Sequence, residues 1–278
     1  MSSVRVFSPE SPDQRRPHLS TFEHDESKKS EPTSITALRI LEEMTDNATP
    51  VGVTELAERL GYPKARVHRH LKQLREGGFV RYIEPTRQYA VGWRLLLLSR
   101  KAVEGSSIKS IVQPIAQRLR DKVGQTVVFS HITTKGIVVM NVEPGGADVD
   151  IIFPPGTRFG FNAAAQGKIA LAYGTPEQVK TWSANAPEIR TRDTLQSMSE
   201  VLDNAAEIRA IGWVSAPNET YLGINAIAAP VFEADGSILG TLALVGTTHL
   251  LPDPPSPELP ALLTEAAAEI SRAWGYRA

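Results

Sequence analysis

The stretch from residue 52 to 76 constrains the fold most, because it has the pattern of two short helices joined by a tight turn. Gly61 stands where the first helix would end in left-handed backbone, and Pro63 suits the first turn of the second helix. Apolar residues recur at helical spacing on both sides of this turn. The stripe on the first helix is Val53, Leu56, Ala57 and Leu60, and the stripe on the second is Val67, Leu71 and Leu74.

The second of these helices is basic, with five Lys and Arg and no Asp or Glu between residues 64 and 75. A basic helix alone is most often a solvated surface, but its position after a short helix and a glycine turn indicates a helix-turn-helix that enters the DNA major groove. Arg and Gln have the geometry to read base edges, whereas Lys mostly binds phosphates. We therefore predict contacts to base edges from Arg66, Arg69, His70 and Gln73, and contacts to the DNA backbone from Lys64 and Lys72.

A β-hairpin is predicted directly after this helix, over residues 79–83 and 88–91. A hairpin in this position is the wing of a winged helix, and Arg87 at its tip is a candidate for contact with DNA phosphate or the minor groove. The alternative for Arg87 is an ordinary exposed loop arginine. A preceding helix over residues 34–44 completes the three-helix core, with Ile35, Leu38 and Leu41 facing inward and Ile40 as a further candidate.

The charge distribution favours a DNA-binding amino-terminal part, although the net charge of the 278 residues is −1. Residues 33–104 carry 12 Lys and Arg against 8 Asp and Glu, whereas residues 105–278 carry 13 against 17. The chain has no cysteine, which excludes disulfides, thiolate metal sites and a cysteine nucleophile. It also has no apolar run of about 18 residues and no leader pattern, so we expect a cytoplasmic protein without a membrane partner.

Composition and periodicity divide the chain into four segments. Residues 1–32 are rich in Ser, Pro and charge, and we predict a disordered tail. Residues 33–92 are the predicted winged helix-turn-helix domain. Residues 93–105 are a linker helix that packs against a partner chain or the second domain, or is simply buried. Residues 106–278 combine helices with hairpin-linked strands, which indicates an α+β domain with an antiparallel sheet.

Six sequence blocks, in order, resemble the IclR family of bacterial transcriptional regulators. They are ALRILEEM, VTELAERLGYPKARVHRHLKQLREGGFV, YAVGWRLLLLS, GTRFGFNAAAQGKIALA, IRAIGWV and AIAAPVFEADGSILGTLALVG. The resemblance covers nearly the whole chain beyond the tail. It implies a winged helix, a linker helix and a GAF-like effector-binding domain. It also implies dimers or tetramers that bind palindromic operators, as repressors or activators, and respond to a small organic molecule.

The chain departs from the family pattern in places that bear on its ligands. Ala65 and Arg66 stand where the family usually has Ser or Thr, which suggests an altered operator preference. Residues 159–162 replace a common Pro, Leu and His, and Glu219 is the one acid kept from a common group of Asp and Glu. These changes argue against a small, highly charged effector such as a two-carbon oxo acid.

We predict an effector pocket with mostly apolar walls and a few polar groups, as small-molecule sites usually have. An aromatic or other partly apolar acid, or a phenol, would fit such a pocket. The alternative for Phe129 and Met140 is plain core packing. The predicted walls are Phe129, His131, Met140, Phe159 and Phe161, and the predicted polar contacts are Asn162, Glu219 and Asn225.

No constellation of residues indicates an enzyme. Gly167-Lys168 lacks the spacing and the hydroxyl residue of a phosphate-binding loop. His68 and His70 lie two apart on a helix, so they face different directions. We therefore predict no catalytic residue, no metal site and no cofactor. The predicted partners are double-stranded operator DNA, a small organic effector and further copies of the chain. The alternatives are a small-molecule-binding enzyme and a winged helix that serves protein interaction alone.

Overall fold

The computed structural model describes residues 4–6, 31–46, 49–146 and 149–277. The described residues fall into two compact units, one within residues 31–105 and one formed by residues 4–6 with those of the range 106–277. Most of the predicted tail, residues 1–32, lies outside the described residues. Val4–Val6 from that segment form a short strand, β1, because they pair in parallel with residues 149–151 of their own unit.

The amino-terminal unit is a helical core followed by a hairpin, which confirms the predicted winged helix-turn-helix. The hairpin is antiparallel, and Val51 pairs with Tyr89 of β3 through an isolated antiparallel β-bridge. Among the described helices, none is both long and apolar enough to cross a membrane. The elements of this unit are α1 (Thr33–Asp46), α2 (Val53–Leu60), α3 (Lys64–Glu76), β2 (Val80–Ile83), β3 (Gln88–Val91) and α4 (Trp93–Glu104).

The turn between α2 and α3 has the predicted geometry. Gly61 has a φ of +66°, a left-handed conformation that costs glycine little, and the chain re-enters a helix after Pro63. This turn brings the apolar stripes of α2 and α3 together with α1 and the hairpin. The resulting core contains Ile40, Leu41, Met44, Val51, Leu56, Ala57, Val67, Leu71, Val80 and Tyr89.

Helix α1 confirms part of its predicted inward side. Leu41 and the further candidate Ile40 are buried, together with Met44, whereas Ile35 and Leu38 are exposed. Apolar residues occupy more than one side of α1, so their spacing alone did not select the side that meets α2 and α3.

Helix α4 exposes large apolar side chains. Trp93 is 77% exposed and Leu97 is 60% exposed, and Leu96 and Leu98 are each about half exposed. The expectation of a plain buried helix is therefore wrong for these four side chains.

The carboxy-terminal unit is built on a six-stranded antiparallel sheet, which confirms the predicted α+β class. The strand order is β7-β5-β4-β10-β9-β8, and each recorded pair of neighbours is antiparallel. A separate strand, β6 (Val149–Ile151), pairs with β1. The strands of the sheet are β4 (Thr126–Thr133), β5 (Gly136–Glu143), β7 (Arg158–Phe159), β8 (Val214–Ser215), β9 (Ile224–Phe232) and β10 (Ile238–Thr247).

Helices cover both faces of this sheet, and each face has its own apolar core. One face packs against α5 (Gln113–Val123), which continues a π-helical turn over Ile108–Val112, and against α10 (Glu258–Ala273). The helices of the other core are α6 (Ala165–Tyr173), α7 (Pro176–Ser183), α8 (Met198–Asp203) and α9 (Ala205–Ile211).

Side chains alternate along the strands, so neighbouring residues belong to different cores. On β4, Val128 and Ile132 lie on the α6 side, whereas Val127 and Phe129 lie on the α5 and α10 side. Helix α6 is buried from Ala165 to Ala172. This alternation determines which residues can line a cavity beside α6.

Candidate functional site

Helix α3 presents one exposed polar side, opposite the stripe that enters the core. Its second turn exposes His68 and Arg69, and the next turn exposes Lys72 and Gln73. Lys64, at the start of the helix, is also exposed. The structure therefore brings Lys64, Arg69, Lys72 and Gln73, four of the predicted DNA contacts, to the surface. It also adds His68, which the sequence interpretation had assigned no role.

His70 is buried, so the prediction that it reaches base edges is wrong. Only 1% of the residue is exposed, and it lies on the helix side that also buries Val67 and Leu71. The spacing from Val67 to His70 to Leu74 is i, i+3, i+7, which is the buried stripe itself. Burial lowers the pKa of the His70 imidazole, and the charges of Arg69 and Arg66 lower it further. Its Nε2 has no hydrogen-bond partner among the described residues.

Arg66 is turned toward α1 rather than to the solvent. Its guanidinium lies 4.6 Å from the centre of the Tyr62 ring, and Nη2 donates to the hydroxyl of Thr36 and, at 3.2 Å, to the Glu31 carbonyl. The Glu31 carboxylate lies 3.4 Å from the same nitrogen. The predicted contact of Arg66 with base edges is therefore absent from this arrangement, because acceptors before and within α1 bind the guanidinium.

The hairpin supplies two further exposed cations. Arg87 stands at the tip with a φ of +54°, and its N–H donates to the Glu84 carbonyl at 3.3 Å. Arg81, on β2, is also exposed, although the sequence interpretation had assigned it no role. Strand alternation could have identified Arg81, because its neighbour Val80 is buried.

In the carboxy-terminal unit, a small cavity lies beside α6. Its volume is about 20 Å³, which is room for roughly one water molecule. The walls are mostly apolar, and two polar side chains, Gln166 and Thr220, also line it. Gln166 donates to the Ser130 hydroxyl at 2.9 Å, and Thr220 donates to the Ala163 carbonyl at 2.6 Å. The lining residues are Phe153, Phe159, Ala164, Gln166, Ala216, Thr220, Ile224, Ala226 and Val245.

Four of the eight predicted effector contacts lie away from this cavity. Phe129 belongs to the core against α5 and α10, and His131 is exposed with its Nδ1 3.0 Å from the Leu239 carbonyl oxygen. Met140 is the extra residue at a β-bulge opposite Phe129 and Ser130, and 38% of it is exposed. Strand alternation separates these residues from the α6 side.

Asn225, the fourth of these residues, is fully buried and occupied by structural hydrogen bonds. Its Nδ2 donates to the Leu251 carbonyl at 3.0 Å, and its Oδ1 accepts from Ser215 at 3.1 Å. It therefore positions the loop around residue 251 and does not line the cavity beside α6.

The other four predicted contacts lie on the α6 side, in different roles. Phe159 lines the cavity, whereas Phe161 is fully buried against Trp182, with ring centres 5.3 Å apart. Asn162 positions a loop, because its Nδ2 donates to the Glu188 and Leu195 carbonyls and its Oδ1 accepts from the Glu188 N–H. Glu219 directly precedes the lining residue Thr220.

Glu219 forms a buried ion pair with Lys168 of α6. The Lys168 Nζ lies 2.5 Å from Glu219 Oε1, and both residues are more than nine-tenths buried. Burial raises the pKa of the Glu219 carboxyl, and Lys168 opposes this effect. The second oxygen, Oε2, is buried and has no hydrogen-bond partner among the described residues. His131 lies on the exposed side near Leu239, so the two residues do not form an acid–base pair.

An aromatic cluster with one arginine forms the wall near Phe159. The Phe153 ring meets Phe159 edge-on at 5.1 Å and stacks on Tyr221 at 5.9 Å. The Arg190 guanidinium lies over Phe159 at 5.1 Å and over Tyr221 at 5.6 Å, and its Nη2 lies 2.7 Å from Glu188 Oε1. This cluster connects the cavity to the loop that Asn162 holds.

No group of three or more His, Asp and Glu within the described ranges is arranged to bind a metal ion. The cavity is lined by no Cys, Ser or His that could act as a nucleophile or a base. Its lining is largely apolar.

Comparison with known proteins assigns both units. Residues 36–84 match the IclR helix-turn-helix domain, and residues 100–272 match the carboxy-terminal domain of the bacterial transcriptional regulator IclR. The transcriptional repressor IclR of Escherichia coli K12 is 26% identical over 242 residues, which are 86% of this chain and 88% of the relative.

Two solved structures have the same fold. An IclR transcriptional regulator from Alicyclobacillus acidocaldarius has a TM-score of 0.74 at 24% identity, over 88% of this chain and 99% of that one. An IclR homologue from Microbacterium hydrocarbonoxydans, solved with 4-hydroxybenzoate, has a TM-score of 0.68 at 18% identity, over 87% and 99%.

A winged helix with an exposed basic helix, together with the matches of both units, defines a DNA-binding transcriptional regulator. The chain belongs to the IclR family of bacterial transcriptional regulators.

The burial of His70 predicts a loss of stability in mild acid. Below about pH 6.5 the unfolded chain takes up a proton at His70, whereas the native chain, with its lowered pKa, does so only at lower pH. The free energy of unfolding should therefore fall as pH decreases from 7.5 to 5.5. Replacing His70→Leu should make this fall smaller, as measured by urea unfolding at the two pH values. The exposed His68→Gln is the control; an equal effect of the two variants would contradict this account.

Proposed function

We propose that this regulator binds operator DNA through the exposed side of α3 and the wing, as a repressor or an activator, under the control of a small organic effector. The observation that carries the proposal is the exposed polar side of α3, which holds His68, Arg69, Lys72 and Gln73 and contains no acid before Glu76. Arg69 and Gln73 have the donor geometry to read base edges, and Lys72 suits phosphate. Lys64 and Arg87 would add contacts to the DNA backbone.

Arg66 has a different role in this proposal. Its guanidinium is bound by Glu31 and Thr36 and stacks on Tyr62, so it orients the start of α3 rather than reading a base. His70 supports α3 from the core. The base-reading set is therefore reduced to Arg69 and Gln73, with His68 as an additional donor or acceptor.

Self-association through α4 is the second part of the proposal. Burying a large apolar side chain contributes roughly 1.5–3 kcal/mol, so exposed Trp93, Leu96, Leu97 and Leu98 favour cover by another molecule. A second copy of the chain suits this surface, because a symmetric dimer presents two recognition helices to the two half-sites of a palindrome. The molecular mass from sedimentation velocity distinguishes a dimer from a tetramer.

The effector, in the third part of the proposal, is an aromatic or other partly apolar acid that enters the cavity beside α6. Phe153, Phe159 and Ile224 offer apolar contacts, and Gln166 and Thr220 offer polar ones. The cavity of about 20 Å³ is far smaller than the roughly 300–1,000 Å³ of ordinary ligand pockets, so binding requires the walls to move. The Microbacterium homologue with 4-hydroxybenzoate makes that compound the first candidate to test.

Movement of the cavity wall links the effector to the loop held by Asn162. Phe159 contacts the Arg190 guanidinium, and Arg190 pairs with Glu188 on that loop. A ligand that displaces Phe159 therefore shifts the loop. A ligand that binds one arrangement of the loop more tightly than the other increases the population of that arrangement. We infer a sensing role without catalysis, exerted in the cytoplasm where the operator lies.

Replacing Arg69→Ala should weaken specific operator binding by about 1–3 kcal/mol, because a bidentate contact to a base is lost. Fluorescence anisotropy with operator and with random DNA measures the effect. Arg59→Ala is the matched control. Arg59 lies on α2, before the turn at Gly61, and is ion-paired with Glu55 and Glu43. Equal losses in the two variants would remove Arg69 from the base-reading set.

Replacing Leu97→Glu should dissociate the oligomer, because a charge would be buried in an apolar contact. Sedimentation velocity at matched concentrations measures the change in molecular mass. Ser99→Glu places the same charge on the same helix and should leave the assembly intact. An unchanged mass for Leu97→Glu would rule out α4 as the main contact.

Replacing Ala226→Val should weaken binding of the aromatic acid by about 1–3 kcal/mol, because the added methyl groups occupy the small cavity. Calorimetric titration of the full chain, with 4-hydroxybenzoate first in the panel, measures this. Met140→Leu, at the bulge outside the cavity, is the control and should change nothing. A loss with Met140→Leu but not with Ala226→Val would place the site on the opposite side of the sheet.

A further inference from the structure

A second and much larger cavity lies at the free edge of β9, away from the lining of the effector cavity. Its volume is about 590 Å³, within the range of small-molecule pockets, and it opens to solvent on one side. None of its lining residues lines the cavity beside α6. It is bounded by Tyr173, Ile211, Gly212, Ala229, Pro230, Phe232, Thr264, Ala267, Ala268, Ser271, Arg272, Tyr276 and Arg277.

The cavity exists because β8 covers only part of β9. Strand β8 pairs with Ile227 and Ala228, and the recorded pairs leave residues 229–232 without a strand neighbour on that edge. Pro230 on this edge has no N–H, and the N–H of Phe232 donates to the Ser271 hydroxyl at 3.0 Å. An added peptide strand would therefore lack the donors it needs, which disfavours strand pairing and leaves the space for a small molecule.

Aromatic and small apolar side chains form the walls of this cavity. The Phe232 ring lies between Tyr173, at 5.4 Å, and Tyr276, at 5.1 Å, in edge-on and tilted contacts. Ala267 and Ala268 of α10 also line the cavity. Aromatic rings and alanine methyl groups together form a slot that suits a flat apolar body.

The charged groups of the cavity are all basic. Arg272 and Arg277 line it, and none of the described lining residues is Asp or Glu. Neither arginine has an ion pair among the described residues. Burial raises the pKa of the Tyr173 hydroxyl, which donates to the Arg209 carbonyl at 3.4 Å.

We propose that this cavity is a second ligand site, which takes an organic carboxylate with a flat apolar body. The apolar body lies against the Phe232 ring and the alanines of α10, and the carboxylate meets Arg272 at the opening. This site is separate from the effector cavity and does not depend on the proposed response to an effector there.

The test uses 2-naphthoate as the probe and 2-naphthamide as its uncharged counterpart, each titrated calorimetrically into the full chain. Arg272→Gln should weaken 2-naphthoate binding about fivefold or more and change 2-naphthamide binding less than twofold, because it removes a charged hydrogen bond alone. Ala268→Phe should abolish binding of both compounds by filling the slot. Arg272 is exposed, so its variant retains the fold even if Ala268→Phe does not.

Two controls distinguish this site from other binding. Lys122→Gln removes an exposed charge on α5 and should have no effect. Ala226→Val fills the effector cavity; since 2-naphthoate is itself an aromatic acid, this variant should remove any second binding event there and leave the event that Arg272→Gln weakens. The proposal is overturned if 2-naphthoate does not bind saturably, or if its binding survives both Arg272→Gln and Ala268→Phe. It is also overturned if these two variants change the association state of the chain without ligand, which would make the cavity a contact between copies.

Discussion

The burial of one side of α3 determines what the amino-terminal unit presents to its partners. Val67, His70 and Leu71 enter the core, and helical periodicity then places Arg69 and Lys72 on the opposite side. Rotating the helix by one residue would bury a cation and expose an apolar stripe, which costs far more than one lost contact. The basic surface is therefore held in a fixed direction by the hydrophobic core behind it.

The sheet of the carboxy-terminal unit separates residues that are adjacent in sequence. Phe129 and Ser130 belong to opposite sides of the sheet, so only side chains on the Ser130 side can line the cavity beside α6. On that side the Lys168–Glu219 pair is buried, and removing one partner would leave an uncompensated charge at a cost of about 3–5 kcal/mol. The ion pair and the unpartnered second carboxylate oxygen of Glu219 lie next in sequence to Thr220, which lines the cavity.

Local patterns in the sequence predicted the elements well, and they predicted the sites less well. Gly61 and Pro63 identified the helix-turn-helix, because turn chemistry and apolar spacing are local. His70 was misassigned because polar character outweighed its i+3 spacing from Val67. Four of the eight predicted effector contacts lie away from the cavity beside α6, because a set chosen by residue type ignored strand alternation. Gln166 and Thr220 had no local feature to mark them, since only the fold brings them to one cavity.

The most direct test of the account is footprinting of the full chain on DNA from upstream of its own gene, at several salt concentrations and with a panel of aromatic acids. Protection of a palindromic segment is expected. This protection should weaken steeply as the salt concentration rises, because phosphate contacts release counterions, and it should change with one acid of the panel. Binding equal to that of random DNA, and insensitive to every acid, would contradict it.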